Sequence, residues 1–231
     1  MKTEKLLPLF ASMICAANVA FALTATIDDV AWTYSVSNGG ATIGGGSSSA
    51  PAIPKATSGA IEIPLELGGV PVTSIAAYAF NGCAAVTKFT IPNTVTNIGQ
   101  YAFLNCAGLT AVEVPKSVQY VGESAFDKCI GLRSMTLPFV GASRGATGYS
   151  ANFGRHFGSS YNSVAPAGTV KISQYYNNGS NIGYHMIPTN LVSVTITDET
   201  TLGYGAFQNC TMLTNIVVND EVKSIGSYAF S

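Results

Sequence analysis

Residues Val95–Pro115 read VTNIGQYAFLNCAGLTAVEVP, and the fold turns on how this stretch is read. It recurs upstream as Val72–Pro92 and downstream as Val118–Pro138. Phe80, Phe103 and Phe126 therefore lie 23 residues apart, as do Cys83, Cys106 and Cys129, and Pro92, Pro115 and Pro138. A fixed period of this length marks an array of stacked units. Leu109, Val112 and Val114 alternate with polar or small residues and read as a strand with one apolar face. Pro115 has no N–H to donate and ends it. Val118 and Val121 supply a second, shorter apolar pair. The glycine that follows in most copies, Gly99 or Gly122, suits a turn. Phe103, Cys106 and Leu109 recur every third residue, which predicts one or two helical turns from about Gln100 to Cys106. Roughly eight residues of each unit point inward, more than one unit can bury alone, so neighbouring units must stack.

The unit resembles the BspA-like leucine-rich repeat, I-G-x-x-A-F-x-x-C-x-x-L-x-x-I-x-I-P. Ile98, Gly99, Ala102, Phe103, Cys106, Leu109, Val112, Val114 and Pro115 match it in order, and the resemblance covers about residues 60–138 and 187–231. It implies an α/β solenoid: a right-handed leucine-rich-repeat superhelix with a parallel β-sheet on one face and short helical turns on the other. It also implies a secreted or cell-surface protein that binds other proteins. The register of the apolar positions predicts six parallel strands, near residues 61–64, 86–92, 109–115, 132–138, 191–197 and 213–219.

The rest of the chain arranges itself around the repeats. Residues 1–22 read as a secretory signal peptide: Lys2 and Lys5, an apolar run from Leu6 to Ala20, and Ala20-Phe21-Ala22 as the cleavage site. Loss of Lys2, Glu4 and Lys5 takes the chain from 11 basic and 12 acidic residues to 9 and 11, too balanced to steer a charged partner. Residues 23–60 form an N-terminal β cap and loop. Val30, Trp32, Tyr34 and Val36 alternate as a strand, Asn38-Gly39-Gly40 is a turn, and Ala41–Ile43 returns as its partner. Gly44–Pro54, rich in Gly, Ser and Pro, reads as a surface loop. Repeats occupy 61–138 and, after an insertion over 139–190, resume over 191–231. The chain stops in mid-repeat at Ser231 and so reads as a fragment of a longer protein.

Only 10% of residues are charged against 47% hydrophobic, which excludes a disordered chain and a nucleic-acid binder. No cofactor is expected, and no G-x-S-x-G, H-E-x-x-H or glycine-rich phosphate loop points to an enzyme. Cys83, Cys106, Cys129 and Cys210 all sit at one repeat position and include no C-x-x-C pair. They read as buried free thiols better than as disulfides or metal ligands. His156 and His185 have no acidic residue beside them between Phe139 and Asn190, so packing histidines are the better reading.

Outward positions of the sheet are small and mostly neutral, with Lys88 and Glu113 the charged ones. Binding hot spots favour Trp, Tyr and Arg, and these collect in the insertion. Arg144, Tyr149, Arg155, Tyr161, Tyr175, Tyr176 and Tyr184 are therefore the candidate partner-binding residues, with Lys88 and Glu113 as a secondary surface. On this reading the insertion leaves the stack after Pro138, re-enters near Ile187-Pro188, and holds bulky amphipathic side chains where a protein or glycan partner can reach them. A passive structural spacer within a larger surface protein is the other function class left open.

Overall fold

The computed structural model describes residues 22–159 and 164–231. The body of the predicted signal peptide, residues 1–21, lies outside them. All six strands expected from the repeat register are present, as Gly59–Glu62, Val86–Thr90, Ala111–Glu113, Ser134–Leu137, Ser193–Ile196 and Asn215–Val218. The last four form one parallel sheet and the first two a parallel pair. Between the two groups, Thr110 N–H donates to Thr87 O at 3.3 Å. The long insertion does not disturb the register, since Ser134 faces Ala111 on one side and Ser193 on the other.

A second parallel stack, read in the sequence only as a pair of apolar positions, runs through Val70–Ile75, Asn97–Ile98 and Tyr120–Val121. The cap grows directly out of it. Leu23–Ile27, Val30–Ser37 and Gly40–Ile43 are antiparallel neighbours, and Gly40–Ile43 then pairs parallel with Val70–Ile75. Asn38 and Gly39 turn the chain with φ of 50° and 76°, as the dipeptide predicts. Trp32 is buried edge-on to Phe80, 6.3 Å between ring centroids, and so covers the first apolar rung. The loop before Pro54 is only partly a surface loop. Ser47–Ser49 are exposed, but Ala52 and Ile53 are buried, with Ala52 N–H donating to Ala79 O at 2.6 Å.

The predicted helix over Gln100–Cys106 is not formed. Tyr101 and Asn105 have φ of 56° and 59°, far from the helical value of about −63°. The segment is a run of tight turns. Cys106 N–H bonds back to Phe103 O at 3.2 Å, whereas Phe103 N–H crosses to Ala125 O of the next unit at 2.8 Å. Donors that a helix would use internally thus bind the neighbouring repeat, and a three-residue apolar period suits such turns as well as it suits a helix. Among the described residues the helical turns are two short 3-10 segments, Gly148–Ala151 and Phe153–His156.

Inside the stack Phe80, Phe103 and Phe126 lie face to face, 5.1 and 5.2 Å apart, and Phe207 and Phe230 repeat the contact at 5.8 Å. The glycines after the short strands prove to be spacers rather than positive-φ turn residues. A Cβ on Gly99 would lie 2.4 Å from Ala77 N, and one on Gly122 2.3 Å from Gln100 N. The backbone of the preceding unit passes too close for any side chain. Gly122→Ala should therefore cost about 1–3 kcal/mol through overpacking, read as a lower denaturant midpoint. An unchanged midpoint would show that the units can spread apart at no cost.

Candidate functional site

The expectation that 139–190 leaves the stack is corrected by its hydrogen bonds. Val121 N–H donates to Ala142 O at 2.8 Å, Ser124 N–H to Arg155 O at 2.8 Å, and Phe126 N–H to His156 O at 2.9 Å. On the other side Phe153 N–H reaches Ala206 O at 2.9 Å. Residues 139–157 thus fill one level of the stack with a different sequence. His156 lies 6.3 Å from Phe126 and Phe153 5.2 Å from Phe207, so the internal ladder of rings is unbroken. These positions escape the repeat consensus because longer loops bring them into place, and a spacing search at 23 residues cannot find them.

The rest of the segment is an antiparallel hairpin of Thr169–Tyr176 and Asn181–Pro188, turned through Asn177, Asn178 and Gly179, all at positive φ. An Asn-Gly pair between alternating strands is a hairpin signal. That signal stands in the sequence at Asn178-Gly179.

The hairpin is fastened by buried amides. Gln174 Nε2 donates to Ala206 O at 2.9 Å, its Oε1 accepts from Gly154 N–H at 2.7 Å, and Gln208 Oε1 accepts from Tyr175 N–H at 2.9 Å. Its strands alternate towards the turn, whereas His185–Pro188 are buried without a break. Ile172 and Gln174 with Gly183 and His185 are buried against the stack, whereas Tyr175 and Tyr184 are half-buried and Ile182 exposed on the other side. Lys171 Nζ lies 4.9 Å from the centre of the Tyr184 ring.

The candidate residues separate into distinct places. Arg155 is buried, its Nη1 donating to Val121 O at 2.7 Å, and it cannot meet a partner. Arg144 is exposed but bound to the Asp198 carboxylate and, through Nε, to Asp198 O at 2.7 Å. Tyr149 donates to Glu123 Oε1 at 2.8 Å and stacks on His185, 5.6 Å between centroids. Burial and the Glu123 carboxylate push its hydroxyl pKa up. Tyr176 meets the Tyr149 ring edge-on at 5.6 Å. Tyr175 and Tyr184 lie on the outer hairpin face, and Tyr161 falls outside the described residues. Lys88 and Glu113 are exposed on the strands Val86–Thr90 and Ala111–Glu113.

Where the loop before Ala151, the hairpin turn and Thr201–Tyr204 converge, they enclose an open groove of about 420 Å³. Tyr176, Asn177, Asn178, Thr201 and Tyr204 line it. Of these the sequence singled out Tyr176. Tyr204 occupies a repeat position, and Asn177 and Asn178 gave no signal beyond their turn propensity.

The four cysteines are free and buried. Cys106 and Cys129 donate from Sγ to the carbonyls of Phe80 and Phe103, at 3.2 and 3.1 Å. Burial pushes the Cys83 thiol up to about 12 and raises Cys210 as well, so these thiols are poor nucleophiles. Among the described residues no three His, Cys, Asp or Glu side chains are grouped to hold a metal ion, and no helix is long and apolar enough to cross a membrane.

The chain matches the family model for the BspA type leucine-rich repeat region in six copies, over residues 70–144 and 168–231. The second span includes the hairpin within the region read as an insertion. No curated protein matches the chain. Among solved structures it is similar to a leucine-rich repeat protein of T. pallidum, with 17% identity and a TM-score of 0.44 over 89% of this chain and 83% of that one. A leucine-rich repeat protein of Eubacterium ventriosum aligns with 16% identity and a TM-score of 0.49 over 90% of this chain, which spans about half (49%) of that protein's length. A leucine-rich cell surface protein of Faecalibacterium prausnitzii gives 17% identity and a TM-score of 0.30, over 90% and 73%. With the family model matched over more than half of its length, the chain belongs to the BspA-type leucine-rich repeat family.

Proposed function

We propose that this chain is a non-catalytic recognition module, secreted or held at the cell surface after removal of residues 1–22, and that its partner is a protein bound on the outer face of the inserted hairpin. The units wind as a right-handed superhelix, the hand that connections between parallel strands favour. One observation carries the reading. The hairpin buries Gln174 and His185 against the stack while turning Tyr175, Ile182 and Tyr184 outward on a rigid support. Tyrosine gives a large amphipathic contact at low entropic cost, which suits a binding surface. The sheet face around Lys88 and Glu113, small and neutral elsewhere, is the secondary surface.

Deleting 139–190 would not test this, because Phe153 and His156 belong to the core. The test is capture of surface proteins from cell extracts by the mature chain, by a Tyr175→Ala/Tyr184→Ala variant and by a Lys88→Ala/Glu113→Ala variant. The first variant should lose a captured protein by roughly 30-fold, the effect of about 2 kcal/mol at a hot spot, with its melting curve unchanged. The second should keep it. Equal capture by all three chains would place the binding elsewhere, and no specific capture by any would leave only a spacer.

A further inference from the structure

The groove beside the hairpin turn has a chemistry of its own. Its volume, about 420 Å³, lies within the range of small-ligand sites. Its walls approach closely because glycine stands at the contacts. A Cβ on Gly148, whose φ is 61°, would lie 3.0 Å from Asn177 Oδ1, and one on Gly203 2.8 Å from Ala151 Cβ. Two tyrosine rings stand on its sides and are themselves held by other rings, Tyr176 by Tyr149 at 5.6 Å and Tyr204 by Tyr228 at 5.4 Å. Asn178 presents an amide beside them, Asn177 an amide that already donates to Asn181 Oδ1 at 3.1 Å, and Thr201 a hydroxyl that accepts from Ser224 Oγ at 3.1 Å and keeps its own proton to donate.

No residue lining the groove carries a charge at neutral pH. The charges nearby are consumed by other partners. Arg144 is bound by Asp198, and the Glu199 carboxylate accepts Gly145 N–H at 3.2 Å and Thr200 N–H at 3.0 Å. An ionic ligand would lose hydration here with no opposite charge in return. A nucleic acid would need basic residues that are absent from this lining. Amides and hydroxyls that both donate and accept match a ligand whose groups do the same. Tyrosine faces carry negative charge that attracts the polarised C–H groups on the flat side of a sugar ring.

We propose that this groove binds the terminal residues of a neutral glycan, with Tyr176 and Tyr204 against the sugar faces and Asn178 and Thr201 bonding the ring hydroxyls. The proposal rests on the recognition reading above but occupies a different surface from the outer hairpin face. The mature chain is to be tested on immobilised glucose-, galactose- and mannose-terminated oligosaccharides beside sialylated and sulfated ones, in low and high salt. At least one neutral glycan should bind, with less than a twofold change between the salt conditions. Binding should fall at least tenfold in Tyr176→Ala and in Asn178→Asp, the latter keeping a residue type that tolerates positive φ. Near-ultraviolet circular dichroism and the melting temperature of each variant show whether it is folded. For a variant that does not fold, Thr201→Val, which removes a hydroxyl on the exposed rim together with the bond it accepts from Ser224 Oγ at 3.1 Å, takes its place with the same expected loss. Absence of any neutral-glycan binding, binding confined to charged glycans and abolished by salt, or binding indifferent to these substitutions would each overturn the proposal. Continued protein capture through Tyr175 and Tyr184 in that case means that this inference alone fails. Silence in both assays removes the recognition reading as well.

Discussion

Phe103→Ala should lower the unfolding free energy by about 3–5 kcal/mol, the cost of truncating a fully buried Phe. In a domain of this size that is a fall of roughly 6–20 °C in melting temperature. Phe103 is fully buried and touches three rings, Phe80, Phe126 and Phe89, at centroid distances of 5.1, 5.2 and 5.1 Å. The cavity cannot collapse easily. Ring spacing is set by the backbone bonds from Phe80 N–H to Ala102 O and from Phe103 N–H to Ala125 O, at 2.7 and 2.8 Å, and closing the gap would break them. Each unit contacts mainly its neighbours, so the loss should also loosen the units on either side. Amide exchange should rise in Val70–Ile75 and Tyr120–Val121 before it rises in Asn215–Val218. A melting shift of only a degree or two, or exchange raised equally everywhere, would contradict the ladder as the main source of stability.

Acid should destabilise the protein through His156 and His185. Both are fully buried, and the first cause of their shifts is loss of water, the second the Arg155 guanidinium beside them. His156 is lowered to about 3 and His185 to about 4. His156 Nε2 donates to Val140 O at 2.9 Å. Among the described residues its Nδ1 and both nitrogens of His185 have no protein partner, so a second proton on either ring finds no acceptor. The unfolded chain takes up protons near the ordinary histidine pKa of about 6.5, well before the folded chain does. Stability from these rings is therefore complete above about pH 6.5 and is lost progressively as pH falls toward 3–4.

At about 1.4 kcal/mol per pKa unit, the fall from pH 7 to pH 4 should remove on the order of 5 kcal/mol. Among the groups around the pair, Tyr149 titrates only at high pH, and Asp127, raised by burial, opposes the trend. Urea denaturation at several pH values, with His156→Gln/His185→Gln beside the native chain, checks this. The variant should show a clearly flatter dependence between pH 7 and 4. Equal slopes would rule the histidines out as its cause.

The pair also shows why the segment around it was not legible. Nothing near His156 or His185 in sequence distinguishes a surface histidine from a buried one. Their burial depends on Gln174 binding Ala206, on Glu123 receiving Tyr149, and on Arg155 reaching Val121, contacts spanning 26–34 residues. Arg155 was a partner-binding candidate for the same reason. Its side chain reads as exposed until the carbonyl it satisfies is known.

What the sequence determined by itself was whatever the period repeats: six parallel strands, their register, the Phe and Cys ladders, and the Asn-Gly turn of the cap. The strands and ladders depend on apolar residues that recur in a fixed pattern and can be read by counting, the pattern resuming in register where Ser134 pairs with Ser193, whereas the cap turn is carried locally by the Asn38-Gly39 dipeptide itself. Tertiary structure decided the rest. It turned the three-residue rhythm into turns rather than a helix, because backbone donors find acceptors in the next unit. It kept 139–157 within the stack and fixed the hairpin with its two unlike faces. It also brought Tyr176 and Tyr204 to one groove. Those outcomes depend on long-range bonds between side chains and backbone groups of unrelated spacing, and no local pattern encodes which distant carbonyl a buried amide or guanidinium will meet.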